Sequence, residues 1–102
     1  MSESTPMTEA MFYVLLALKK QGYGYKTMQR IHELSGGRLS MGPGTLYGVL
    51  TRMKKEGLIE LTSEDERRKN YILTDEGLKA LEAEYERIKR MAADAEKVLK
   101  EE

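Results

Sequence analysis

Apolar side chains cover nearly every side of the first helix that the sequence predicts. They fill residues 10–18, and Thr8 stands where a helix N-cap is expected, so we place this helix from Thr8 to about residue 20. Two explanations fit a helix that is buried on all sides in a chain of 102 residues. It lies in the centre of the core, or a partner chain covers part of it, in which case Met11 and Leu15 belong to the interface.

The next two helices have an apolar stripe on one side only. A break at residues 21–24 precedes the second helix, which is expected over residues 25–34. Its inward stripe consists of Met28, Ile31 and Leu34. The third helix is expected to begin at Pro43, because the fixed φ of proline suits the first helical position, and to stop before Gly57. Its core stripe consists of Leu46, Val49, Leu50 and Met53.

A β-hairpin and a long final helix complete the predicted fold. Apolar and β-branched residues favour strands at residues 58–62 and 69–74, on either side of a charged turn. Thr74 is suited to cap a last helix that begins at Asp75 and runs nearly to the end of the chain. Its apolar positions alternate steps of three and four residues, as in a coiled coil: Leu78, Leu81, Tyr85, Ile88, Ala92, Ala95 and Leu99.

The length of this last helix indicates a second contact surface. Roughly 26 residues span about 39 Å at 1.5 Å per residue, which exceeds the width of a domain of this size. The apolar stripe therefore predicts a homodimer interface along the helix. Packing of the stripe against the rest of the same chain is the alternative.

The charges of the chain are balanced overall, with 17 Lys and Arg against 17 Asp and Glu. Net charge by itself therefore does not indicate nucleic acid or a membrane as the partner. Residues 38–71 hold seven basic and five acidic side chains, whereas residues 75–102 hold six basic and nine acidic ones. This asymmetry favours a polyanion as the partner of the middle of the chain.

Cysteine is absent, which excludes disulfides and thiolate metal sites and favours a cytoplasmic location. The apolar run at residues 10–18 is too short for a membrane span, so no membrane partner is expected. His32 is the only histidine, and it is expected on the surface of the second helix. No nucleophile–base pair, catalytic carboxylate pair or phosphate loop of recognised spacing occurs. We therefore predict no enzymatic activity, no metal and no cofactor.

The predicted order of three helices and a hairpin is that of a helix-turn-helix with a β-hairpin wing, here residues 58–74. In this arrangement the second helix of the pair lies in the major groove of DNA, and in this chain that is the third helix. The candidate DNA contacts are its outward residues Gly44, Thr45, Tyr47, Gly48, Thr51, Arg52 and Lys55, and the wing cations Arg67, Arg68 and Lys69. For each of them the alternative is an ordinary solvated surface, and the acidic residues 64–66 can pair with the wing cations.

Six short motifs, taken in order, resemble the PadR-like winged-helix transcriptional regulators over nearly the whole chain. They are Gly24-Tyr25, Ser35-Gly36-Gly37, Gly42-Pro43-Gly44-Thr45-Leu46-Tyr47, Leu50-x-Arg52-Met53-x-x-Glu56-Gly57-Leu58-Ile59, Arg68-Lys69-Asn70-Tyr71 and Leu73-Thr74-Asp75-Glu76-Gly77. The resemblance implies a dimeric repressor whose third helix reads the major groove, whose wing touches the DNA backbone and whose last helix dimerises.

The sequence thus predicts a mainly α fold with a small β-hairpin. A loose segment of residues 1–7 precedes a winged helix-turn-helix over residues 8–74, and a dimerisation helix follows over residues 75–102. The predicted function is a DNA-binding transcriptional regulator that represses from a palindromic operator as a homodimer. Release by a small-molecule effector of unknown identity is left open. The alternative function is a winged-helix module for protein–protein assembly that does not read DNA.

Overall fold

The computed structural model describes residues 7–64 and 68–101. Within them lie α1 (Glu9–Ala17), β1 (Gly22–Tyr23), α2 (Gly24–Leu34), α3 (Pro43–Lys55), β2 (Ile59–Glu64), β3 (Lys69–Leu73) and α4 (Asp75–Leu99). A three-helix core, a β2–β3 wing and a long last helix confirm the predicted fold class. The predicted loose segment lies outside the described residues except for Met7, and so does Arg67 of the wing.

The first helix is the central helix of the core. Val14, Leu15 and Leu18 have no exposed surface, and α1 contacts α2, α3 and α4. The helix ends at Ala17, earlier than the predicted residue 20. A tertiary contact holds this end: the Arg30 guanidinium of α2 donates to the Ala17 carbonyl at 3.0 Å and to the Lys20 carbonyl at 2.9 Å. A cation thus satisfies carbonyls that the helix end leaves without partners.

The inward stripe predicted for α2 is wrong at its last position. Ile31 is fully buried, but Leu34 is 55% exposed. Gly36 and Gly37 follow with φ of 63° and 82°, and the N–H of Gly37 donates to the carbonyl of His32 at 2.8 Å. This left-handed turn ends α2 and redirects the chain, so the last helical residue lies beyond the edge of the core.

A third strand joins the predicted hairpin. The sheet is antiparallel with the order β1-β3-β2, and in it Gly22 pairs with Tyr71 and Tyr23 pairs with Asn70. Two residues are too few to show an alternating pattern, so the sequence did not indicate β1. The strand connects the wing to the start of α2, which places both on the same side of the domain.

Candidate nucleic-acid interface

The outward side of α3 is a continuous exposed strip. Leu46, Leu50 and Met53 face the core. At about 100° per residue, Gly44, Gly48, Thr51 and Lys55 lie on the opposite side, and all four are exposed. We call these four residues the α3 strip. The structure therefore brings four of the predicted contact residues into one line along the helix.

The glycines of the α3 strip have no close neighbour among the described residues that would explain them. A Cβ built on Gly44 or on Gly48 meets no atom of residues 7–64 and 68–101 within 4 Å. Glycine in a helix interior is less favourable than alanine by roughly 1 kcal/mol. Packing within this chain therefore does not require the two glycines, and together they leave the helix backbone open to close approach from outside.

The N-terminal end of α3 is exposed beside the strip. Gly42 is the N-cap residue and makes no side-chain cap hydrogen bond, and Pro43 occupies the first turn. Thr45, the next predicted contact residue, is exposed there. The positive end of the helix dipole and the N–H groups of this turn favour an anion such as a phosphate.

The remaining predicted residues of α3 lie on its two flanks. Tyr47 is 62% exposed on one flank. Arg52 lies on the other, where Arg52 and Glu56 line a groove together with Arg87 and Arg90 of α4. Arg52 was predicted on the outward face of α3, and its position beside α4 depends on where α4 packs.

The wing presents cations close to the start of α2. The guanidinium carbon of Arg68 lies 4.4 Å from the ring centroid of Tyr23, a cation–π contact. Lys69 at the start of β3 is exposed. Tyr23 was not among the predicted residues, because its contact with Arg68 follows from the pairing of β1 with β3.

The α4 stripe predicted for dimerisation divides into a covered and an uncovered part. Leu81 is buried in the core and Leu78 is half-buried, so the first two positions of the stripe are at least partly covered within the domain. Beyond them the same side of α4 is exposed. The exposed positions are Tyr85, Ile88, Ala92, Ala95 and Leu99, together with Met91 and Val98, which the predicted heptad stripe did not include.

The structure also corrects the residues of α1 that were assigned to an interface. Met11 and Leu15 belong to the hydrophobic core, and Leu15 has no exposed surface to offer a partner. The residues of α1 that pack on the core and remain partly exposed are Ala10, Phe12, Tyr13 and Leu16. The pattern of α1 could not distinguish these sides, because all of them are apolar.

A buried carboxylate connects α4 with Met7, the residue before the N-cap of α1. Glu84 is 7% exposed, accepts a hydrogen bond from Arg87 Nε at 2.9 Å and a second from the other nitrogen of the fork, and accepts the N–H of Met7 at 3.3 Å. The hydrogen bond from Arg87 lowers the pKa of Glu84 most. Burial opposes this change in pKa, and the charge of Arg87 and the N–H of Met7 reinforce it.

The described part of the chain offers little for other kinds of site. No three His, Asp or Glu side chains in residues 7–64 and 68–101 come together as metal ligands. No helix in these ranges is long and apolar enough to cross a membrane. His32 is exposed on α2, as expected.

Comparison with known proteins agrees with this geometry. Residues 14–83 match the Transcriptional regulator PadR-like family. A 37.1 kDa protein encoded in a transposon of Streptomyces fradiae is 35% identical over 85 residues, which make up 82% of this chain and 24% of that protein. The transcriptional regulator YqjI of Escherichia coli is 27% identical over 70 residues, 69% of this chain and 34% of YqjI. The chain thus spans a quarter to a third of the length of these curated relatives.

A solved structure matches at nearly full length. The crystal structure of a PadR family transcription regulator from Clostridium difficile superimposes with a TM-score of 0.78 at 26% identity. The match covers 90% of this chain and 99% of that one.

Proposed function

The chain belongs to the PadR-like family of transcriptional regulators, and from this premise we propose that it binds double-stranded DNA as a homodimer and represses transcription. A family of transcriptional regulators also agrees with the prediction that the chain is not an enzyme. The observation that carries the proposal is the α3 strip, with the open N-terminal end of the helix beside it.

The α3 strip has the properties that a major-groove helix needs. Its glycines let the backbone approach the base edges, Thr51 offers a hydroxyl group, and Lys55 offers a cation. The uncapped N-terminal turn can receive a phosphate, which would fix the register of the helix on the duplex. Arg68 and Lys69 of the wing supply further cations for the backbone.

The uncovered side of α4 supports a homodimer. From Tyr85 to Leu99 this side of the helix exposes apolar side chains that no described residue covers, and Leu99 is 81% exposed. A second copy presents the same stripe, so a two-fold arrangement can bury both at once. Such a dimer would place two α3 helices on a palindromic operator.

Binding to DNA selected from a random pool tests the proposal. We expect a tight complex whose affinity falls with salt, with a log–log slope of about −0.9 for each neutralised phosphate. Lys55→Ala should reduce both the affinity and the magnitude of the slope, the latter by about one. Lys97→Ala removes the same charge from the polar side of distal α4 and should change neither quantity. If the protein selects no DNA sequence and its binding to DNA does not depend on salt, the result supports the alternative of a winged-helix module for protein–protein assembly.

Repression is tested by transcription in vitro from a promoter that contains the selected site. We expect transcript yield to fall as the protein saturates the site, and Lys55→Ala to require a higher concentration for the same effect. Unchanged or increased yield at saturation would reject repression and leave DNA binding intact. Release by a small molecule, if the protein has an effector, would restore the yield in the same assay.

A further inference from the structure

The first turn of α4 lies directly against the segment that follows α3. We call the contact between residues 57–58 and residues 74–77 the α3–α4 joint. Thr74 donates its N–H to the carbonyl of Leu58 at 3.0 Å and its hydroxyl to the carbonyl of Gly57 at 2.7 Å. The same hydroxyl accepts the N–H of Gly77 at 3.0 Å. One side chain therefore binds the segment that leaves α3 and the first turn of α4 together.

Gly77 makes this contact closer than any other residue could. A Cβ at this position would lie 1.9 Å from the carbonyl oxygen and 2.9 Å from the carbonyl carbon of Leu58. Both are backbone atoms, so no side-chain rotation relieves the overlap. A larger residue must move α4 away from residue 58, so the close approach of α4 to the segment that follows α3 depends on the absence of a side chain here.

A small change of the helix angle at the joint produces a large displacement of the far end of α4. From Gly77 to Leu99 the helix rises about 33 Å at 1.5 Å per residue. A tilt of about 10° at the joint moves the far end by about 6 Å, whereas successive base pairs are about 3.4 Å apart. Leu81 adds packing of α4 on the core, but the joint is where α4 meets the backbone that leaves α3.

We propose that Thr74 and Gly77 are positioning residues that set the spacing between the two DNA half-sites recognised by the dimer. The proposal rests on the proposed function, because it takes α3 as the DNA-reading helix and distal α4 as the dimer contact. The joint fixes the angle between these two helices, and that angle determines how far apart the two α3 helices stand. Neither residue touches DNA in this arrangement.

A series of operators with one or two base pairs added to or removed from the centre tests the proposal. Thr74→Val keeps the shape of the side chain and removes both hydroxyl hydrogen bonds, whereas Thr74→Ser keeps the hydroxyl. We expect Thr74→Val to lower the preference for the original spacing by roughly fivefold or more, within the usual range of coupling between sites. Affinity for an isolated half-site should stay unchanged, and Thr74→Ser should restore the preference. A folded, dimeric Thr74→Val protein with the original spacing profile would overturn the proposal.

The distance between the two α3 helices provides a second measurement that needs no DNA. The chain has no cysteine, so Lys54→Cys introduces a single attachment point for a spin label on an exposed part of α3. We expect Gly77→Ala and Thr74→Val each to shift or broaden the label-to-label distance, compared with the labelled protein that carries neither substitution. Unchanged distributions in both variants would overturn the proposal. If the labelled parent protein shows no dipolar coupling, it is monomeric, and both the proposed dimer and the proposed role of the joint are rejected. If the protein only fails to bind DNA, the label-to-label distances still test the role of the joint.

Discussion

Arg52 is paired with Glu56 one helical turn later on α3, with 3.0 Å between Nε and Oε2. The two side chains are 53% and 44% exposed, so water screens the pair, and such exposed pairs contribute only about 0.2–1 kcal/mol. The bond to this carboxylate uses Nε, so the terminal nitrogens of Arg52 can still donate to a DNA acceptor while the carboxylate partly neutralises the cation. Glu56 thus places a negative charge beside one of the predicted DNA contacts and weakens the attraction of Arg52 for a phosphate.

The first prediction concerns this pair. Glu56→Gln should raise DNA affinity about two- to fivefold, because Arg52 is then no longer partly neutralised and no carboxylate beside it repels the DNA phosphates. Arg52→Ala should lower the affinity roughly tenfold if Arg52 contacts a base or phosphate. Glu60→Gln on β2 removes the same charge elsewhere and serves as the control in a titration at fixed salt. Equal effects of the two glutamine variants would show that the pair is irrelevant, and an unchanged Arg52→Ala affinity would remove Arg52 from the interface.

The second prediction separates folding from binding at Gly48. Gly48→Ala should stabilise the free protein by up to about 1 kcal/mol, since alanine is the better helix former and its methyl group meets no atom within 4 Å. The same methyl group should lower DNA affinity by standing between the helix backbone and the groove. Urea unfolding and a DNA titration of the same preparation check both signs. Raised stability with unchanged affinity would show that DNA does not approach α3 at this point.

The third prediction concerns the uncovered side of α4. Ala92 lies on the apolar stripe and Ala93 lies about 100° away on the helix, and both are exposed. Ala92→Gln should weaken dimerisation roughly tenfold, because the larger polar side chain disturbs a packed interface by about 1–3 kcal/mol. Ala93→Gln should leave it unchanged. Sedimentation equilibrium measures both, and equal dissociation constants for the two variants would argue against the stripe as the interface.

The fourth prediction concerns the end of α1. Arg30 donates to the carbonyls of Ala17, Lys20 and Gln21, so Arg30→Met should lower the free energy of unfolding by about 1.5–3 kcal/mol, as expected for hydrogen bonds from a charged group. Lys26→Met removes an exposed cation from the same helix and should have little effect. Urea denaturation measures the difference. If both variants lose the same stability, the contact does not stabilise the end of α1.

The fifth prediction is a pH dependence. Arg87 holds the pKa of Glu84 below its ordinary value, so the ionised carboxylate stabilises the fold above that ordinary value. The contribution is lost as the pH falls through the lower pKa of the folded state. Glu84→Gln should therefore lower the Tm at neutral pH and reduce the further loss of Tm on acidification below about pH 5. Glu82→Gln changes an exposed carboxylate of α4 and should keep the full acid dependence; identical profiles for the two variants would contradict the assignment.

Periodicity predicted the helices that carry the candidate site, because it reports local geometry. The core stripe of α3 and the cap of α4 by Thr74 lie where the spacing placed them. The apolar periodicity of α1 did not distinguish Leu15, which is buried, from Leu16, which is partly exposed. All sides of α1 are apolar, so no stripe indicates which side faces outward.

The sequence alone thus determined which segments become helices, where α3 and α4 begin, and that Gly44, Gly48, Thr51 and Lys55 lie on the outer side of α3. These features depend on residues three or four positions apart, whose relative placement a helix fixes. Only the tertiary structure decided that Leu81 packs inside the chain while Leu99 remains uncovered, that Arg52 turns toward α4, and that Gly77 meets the backbone of Leu58. Each of these contacts joins residues far apart in the chain, and the packing of whole elements, rather than local spacing, brings such residues together.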